Sequence, residues 1–154
     1  MEKSLNICLF LQRSFVRFGH ALAINIKNKN ENTKFSAYTH LKGSYDFIKN
    51  QTEINYSQII LDEEVHEKYK NEKIDFNFLK KIENKYGIPN LWPYLAIDRT
   101  LMYSILPREY PSDKPMYSHE EMLRILQVKA RAVIKLLEET KPEFIIFSVI
   151  GSTS

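Results

Sequence analysis

The run Ile7-Cys8-Leu9-Phe10-Leu11 constrains this chain most. It is too short to span a bilayer, and it lacks the apolar–polar alternation of a strand with one wet face. Such a run suits a strand covered on both faces, as in a parallel sheet with helices on either side. The next residues read as the first of those helices. Gln12-Arg13-Ser14 end the run, and Ser14 can cap a helix by accepting an orphan backbone N–H. Phe15, Phe18, Leu22 and Ile26 then recur at helical spacing over Phe15 to about Lys27 and are expected to face the sheet.

The same alternation continues. Asn28 to Thr33 reads as a loop, Lys34 to Tyr38 as a second strand, and the residues around His40 as a polar turn. Leu41 to Asn50 is a modest helix weakened by Gly43, and Gln58-Ile59-Ile60-Leu61 is a third strand that ends at Asp62-Glu63-Glu64. Strand, helix, strand, helix, strand at this spacing predicts right-handed βαβ crossovers. The expected fold class is therefore α/β, a Rossmann-like three-layer α/β/α arrangement with a mostly parallel sheet.

A helical segment is inserted in the middle. Ile74 to Tyr86 has helical periodicity with Gly87 placed to stop it, Pro89 and Pro93 bracket a turn, and Tyr94 to Ile105 reads as another helix. Pro107, Pro111 and Pro115 mark an irregular connection. Ser118-His119-Glu120-Glu121 is a capping box that opens a long helix whose core stripe is Met122, Ile125, Leu126, Val133, Leu136 and Leu137. Lys141-Pro142 stops it, and Phe144-Ile145-Ile146-Phe147 follows as a fourth buried strand before Gly151-Ser152-Thr153-Ser154.

Composition narrows the function classes. The 154 residues suffice for a single domain, 1–154, with 44% hydrophobic and 27% charged residues. The net charge of +3 is spread among acidic neighbours, as in Glu63-Glu64-Val65-His66-Glu67-Lys68, so no nucleic-acid partner is expected. Cys8 is the only cysteine, which excludes an internal disulfide. The start lacks the layout of a secretory signal, no apolar stretch reaches the ~18 residues of a membrane span, and a cytoplasmic location is the expectation. A final strand leading into a Gly-Ser turn normally introduces another helix, so the chain reads as the N-terminal part of something longer.

Ligands of open α/β sheets bind beyond the carboxyl ends of the strands, which singles out Gln12-Arg13-Ser14, Thr39-His40, Asp62-Glu63-Glu64 and Ser148 to Ser154. Arg13 and Ser14 can hold an anion or a sugar hydroxyl at a helix start, although capping by Ser14 and solvation of Arg13 explain them as well. Asp62 can hold a sugar hydroxyl, or can simply open a helix where its charge suits the dipole. Ser152 belongs to a loop that resembles a phosphate cradle by composition alone. His40 is the general-base candidate, with no partner visible in sequence. His20, His66 and His119 are scattered, and no metal-ligand spacing is present, so no metal is expected. The loop after the first strand lacks G-x-G-x-x-G and the P-loop pattern is absent, so no dinucleotide cofactor is expected.

At Tyr86-Gly87-Ile88-Pro89-Asn90-Leu91-Trp92, followed by Ile97-Asp98-Arg99, the chain resembles the N-terminal region of bacterial capsule and surface-polysaccharide biosynthesis proteins related to GT-B glycosyltransferases. Lys141-Pro142-Glu143-Phe144-Ile145-Ile146 continues the likeness. The resemblance implies a two-domain transferase of which this domain offers the acceptor side, inactive alone, with a nucleotide-sugar and a glycan acceptor engaged through the full-length protein. Asp98 and Arg99 match the family's Asp-Arg pair. Neighbours on a helix point in different directions, so a structural role is expected for both. The alternative is a non-catalytic Rossmann-like module for a small ligand or a protein partner, which predicts a homodimer covering the final strand.

Overall fold

The computed structural model describes residues 4–12, 15–97 and 117–147. They fall into two compact units: the residues up to Val65 together with those from Arg131 onward, and the residues from His66 to Ala130.

The first unit holds the sheet. Its strands are β1 (Asn6–Leu11), β2 (Lys34–Thr39), β3 (Tyr56–Leu61) and β4 (Phe144–Phe147), in the order β3-β2-β1-β4 and all parallel. Helix α1 (Phe15–Lys29) joins β1 to β2, and α2 (Lys42–Asn50) joins β2 to β3. This is a Rossmann-like α/β fold. The chain adds strands outward from β1 to β3 and then returns to β1's other side, so the topological switch point lies between β1 and β4.

Side-chain alternation divides the sheet into two faces. Ile7, Leu9, Leu11, Phe35, Ala37 and Tyr56 pack with Val16 and Ala23 of α1 and Ile48 of α2 in one core. The facing residues Cys8 and Ser36 are also buried, on the opposite side. That side meets the end of the long helix α6 (His119–Thr140), where Gln58 Nε2 donates to Glu139 Oε2 at 3.0 Å and Asn6 Nδ2 donates to the Thr140 carbonyl at 3.3 Å. Both faces of β1 are thus covered, as its unbroken apolar run requires.

Two expectations fail here. Phe18 is 64% exposed, and the fully buried residues of α1 are Val16, Gly19, His20 and Ala23, while Phe15 and Ile26 of the expected stripe pack partly buried against the core. Helix α1 approaches β1 closely there: a Cβ on Gly19 would fall on Leu11 Cδ2, so a larger residue would force the buried Leu11 side chain to move. The second correction concerns β4, which among the described residues is an edge strand and not a buried one. Phe144, Ile145 and Phe147 are 58, 44 and 54% exposed. An apolar run has the same composition at the edge as at the centre of a sheet, and only the pairing order separates the two.

The second unit is helical. It contains a 3-10 turn at Lys68–Asn71, α4 (Phe76–Tyr86), α5 (Trp92–Ile97) and the first half of α6. Helix α3 (Asp62–Glu67) begins in the first unit and ends in this one. Asp75 caps α4 by accepting from Phe78 N at 2.9 Å, and Gly87 ends it at φ 64°, a conformation that disfavours side chains with a Cβ. The capping box of α6 is formed, with Glu121 Oε2 accepting from Ser118 N at 2.8 Å and Ser118 Oγ accepting from Glu121 N at 3.2 Å. Gln127, fully buried and absent from the expected core stripe, accepts from Asp75 N at 2.7 Å and donates to the Lys73 carbonyl at 2.8 Å. The predicted helix over Tyr94 to Ile105 is seen only as far as Ile97. Its remainder and the proline-marked connection lie outside the described residues.

Candidate functional site

The first unit brings one pair of predicted residues together at the carboxyl ends of its strands. Thr39 and Leu61 are in register as the last pair of β2 and β3, so the next residues, His40 and Asp62, emerge side by side. His40 N still donates to the Leu11 carbonyl at 3.4 Å, which continues the strand for one residue. His40 therefore shares a sheet face with Tyr38, two positions earlier.

All three side chains meet. Asp62 is buried, and its Oδ2 lies 3.1 Å from His40 Nδ1, while its Oδ1 accepts a hydrogen bond from the Tyr38 hydroxyl. A carboxylate accepts from an N–H, so in the neutral ring this contact places the imidazole proton on Nδ1 and the lone pair on Nε2. The His40 side chain is 40% exposed against 7% for Asp62, so the imidazole is the member of the pair that a solute can reach. Burial first, and then the nearby Asp62 charge and the hydrogen bond to it, push the Tyr38 hydroxyl well above its ordinary range. Tyr38 therefore stays a donor and fixes the carboxylate that orients His40.

The surrounding backbone is held as well. Lys42 N donates to Glu63 Oε2 at 2.9 Å, so a carboxylate at the start of α3 satisfies an orphan N–H at the start of α2, which has no side-chain cap of its own. The starts of α2 and α3 are thereby tied to each other beside the His40–Asp62 contact.

Asp62 was expected to bind a sugar hydroxyl. In the structure its Oδ1 accepts from the Tyr38 hydroxyl and its Oδ2 stands against His40 Nδ1. Arg13, Ser14, Ser152, Asp98 and Arg99 lie outside the described residues. Tyr38 escaped the sequence reading, although its position two before His40 in a strand already put both on one face.

The other histidines have local partners. His20 is buried with Nδ1 3.1 Å from the Tyr56 hydroxyl and Nε2 3.7 Å from Glu53 Oε2, beyond hydrogen-bonding distance. His66 Nε2 lies 3.1 Å from the Tyr117 hydroxyl, and His119 packs edge-on to Trp92 at 4.6 Å between ring centroids. Cys8 is buried, and burial pushes its thiol above the ordinary range. Among the described residues no group of three or more His, Cys, Asp or Glu side chains could hold a metal ion. No described helix is long and apolar enough to cross a membrane.

No protein-family model, no curated protein and no solved structure matches the chain.

Proposed function

We propose that this domain is the acceptor side of a nucleotide-sugar-dependent glycosyltransferase of surface-polysaccharide assembly, acting in the cytoplasm, with His40 as the base that activates an acceptor hydroxyl. The observation that carries the reading is the 3.1 Å contact between His40 Nδ1 and a buried, tyrosine-held Asp62 at the carboxyl edge of a parallel sheet. A base needs an accessible lone pair and a partner that stabilises the cation it becomes, and a 40% exposed imidazole against a buried carboxylate supports that role. His40 Nε2 would take the proton of the acceptor hydroxyl. The oxygen would attack the anomeric carbon of the sugar as the bond to the nucleotide's phosphate breaks, and the nucleoside diphosphate would leave with the electron pair. The nucleotide-sugar contacts fall to the rest of the full-length protein, and the isolated domain is inactive on this reading. Calorimetry of the full-length protein with a panel of nucleotide-sugars tests it. Binding of one with release of its nucleoside diphosphate supports the reading, and no binding of any would sink it.

A second reading has its own observation. The exposed apolar residues of β4 favour a non-catalytic module that pairs this edge with a partner. Sedimentation of the purified domain separates the two, since a well-folded monomer at high concentration counts against the module.

A further inference from the structure

Among the described residues, strand β4 leaves one side of its backbone open. The Leu5 and Leu11 carbonyls accept from Lys34 N at 2.7 Å and His40 N at 3.4 Å, so the odd-numbered residues of β1 turn their backbone groups to β2. Asn6, Cys8 and Phe10 therefore turn theirs to β4, and the Asn6 carbonyl accepts from Glu143 N at 2.8 Å. Phe144 stands opposite Ile7 and Ile146 opposite Leu9, between those bonding residues, so both direct their N–H and C=O groups to β1. The N–H and C=O groups of Ile145 and Phe147 point the other way, out of the sheet's edge.

The side chains at this edge are apolar on both faces. Phe144 and Ile146 share the α1 and α2 face with Ile7 and Leu9, and Ile145 and Phe147 lie on the opposite one. Phe144, Ile145 and Phe147 are all exposed. Edge strands are usually blunted by a charge, a proline or a bulge, and Phe144–Phe147 has none of these. Such an edge is a template for one more strand.

We infer that the added strand is β4 of a second copy of this chain, running antiparallel about a two-fold axis through Ile146. This rests on the second reading, of β4 as an edge that takes a partner, and names that partner. A two-fold axis perpendicular to the sheet keeps each face continuous, so a residue opposes only residues of its own face. About Ile146, the two copies of that residue meet on one face, and each Ile145 meets the partner's Phe147 on the other. Ile145 and Phe147 are also the residues whose backbone groups point outward, so both of these pairs close their hydrogen bonds across the edge. The strand is its own complement in this register. An axis through Ile145 would set Phe147 against the charged Glu143, whose N–H is already bonded to Asn6.

Sedimentation velocity of the whole chain over a wide concentration range, joined to disulfide trapping, tests it. The parent should show a monomer–dimer equilibrium, at least tenfold weaker in Ile145→Lys, whose ammonium would face the partner's Phe147. Ile146→Cys should give a disulfide-linked dimer on oxidation, because a non-hydrogen-bonded antiparallel pair holds its Cα atoms about 4.5 Å apart. Ile145→Cys should not, since its counterpart lies two positions off at about 7–8 Å. Cys8 is fully buried and does not compete. A circular dichroism spectrum matching the parent's establishes that each variant folds. A parent that stays monomeric throughout, or a dimer indifferent to Ile145→Lys, overturns the inference together with the reading beneath it. A dimer weakened by Ile145→Lys that Ile146→Cys fails to trap overturns the inference alone, because the edge then pairs in another register.

Discussion

His40 Nδ1 and Asp62 Oδ2 stand 3.1 Å apart because Thr39 and Leu61 end their strands in register. The pair is a product of sheet alignment, and its chemistry depends on the carboxylate being an acceptor. Asp62→Asn keeps the shape but offers an amide that can turn its NH2 toward the ring and favour the other tautomer. Sugar transfer by the full-length protein should then fall by a factor of about 10²–10⁴, chiefly in kcat, with the KM for the nucleotide-sugar little changed. Steady-state kinetics of this variant beside the parent checks it.

Tyr38 and Tyr56 give the first unit an alkaline limit. Burial raises both hydroxyls above their ordinary range, and the Asp62 charge adds to the effect at Tyr38. Each tyrosine binds its proton more tightly folded than unfolded. Their stabilisation is therefore complete below about pH 10, the unfolded value, and is lost as pH rises beyond it toward the folded values. Urea unfolding at pH 8 and pH 11 should show a large drop in midpoint for the parent and a smaller one for Tyr56→Phe. Tyr38→Phe should lower stability already at pH 8, by about 1–3 kcal/mol, because Asp62 loses a buried donor.

Gly19 and Gly43 both sit in helices and predict opposite outcomes. A methyl on Gly19 would meet Leu11 Cδ2 and lie 3.3 Å from Phe15 Cε1 inside the core, whereas nothing stands within 4 Å of one on Gly43. Gly19→Ala should cost about 1–3 kcal/mol through overpacking, despite the better helix propensity of alanine. Gly43→Ala should stabilise by about 0.5–1 kcal/mol. Thermal unfolding of the two variants side by side checks both signs.

What the sequence discloses here is local. The apolar run at Ile7–Leu11, the turn residue Gly87 and the capping box at Ser118 and Glu121 each act within a few neighbours, and each predicted its element. The crossovers followed from counting strands and helices. The exposure of Phe18 did not follow, because four apolar residues at helical spacing favoured it as a core residue, and the close contact of Gly19 with Leu11 joins two elements. The partner of His40 was hidden for a related reason. His40 and Asp62 were each noticed at a strand end, but only the β2–β3 register, with a bulge near Phe35 and Ser36, makes them neighbours.

The central claim is that the exposed nitrogen of His40 takes a proton during sugar transfer, and chemical rescue tests it most directly. The full-length protein carrying His40→Ala should transfer sugar to a hydroxyl acceptor at about 10²–10⁴-fold below the parent rate. Added imidazole should restore part of that rate in proportion to the concentration of its neutral form. A His40→Ala variant that folds and transfers at the parent rate, or one that is slow and indifferent to imidazole, would contradict the assignment of His40 as the base.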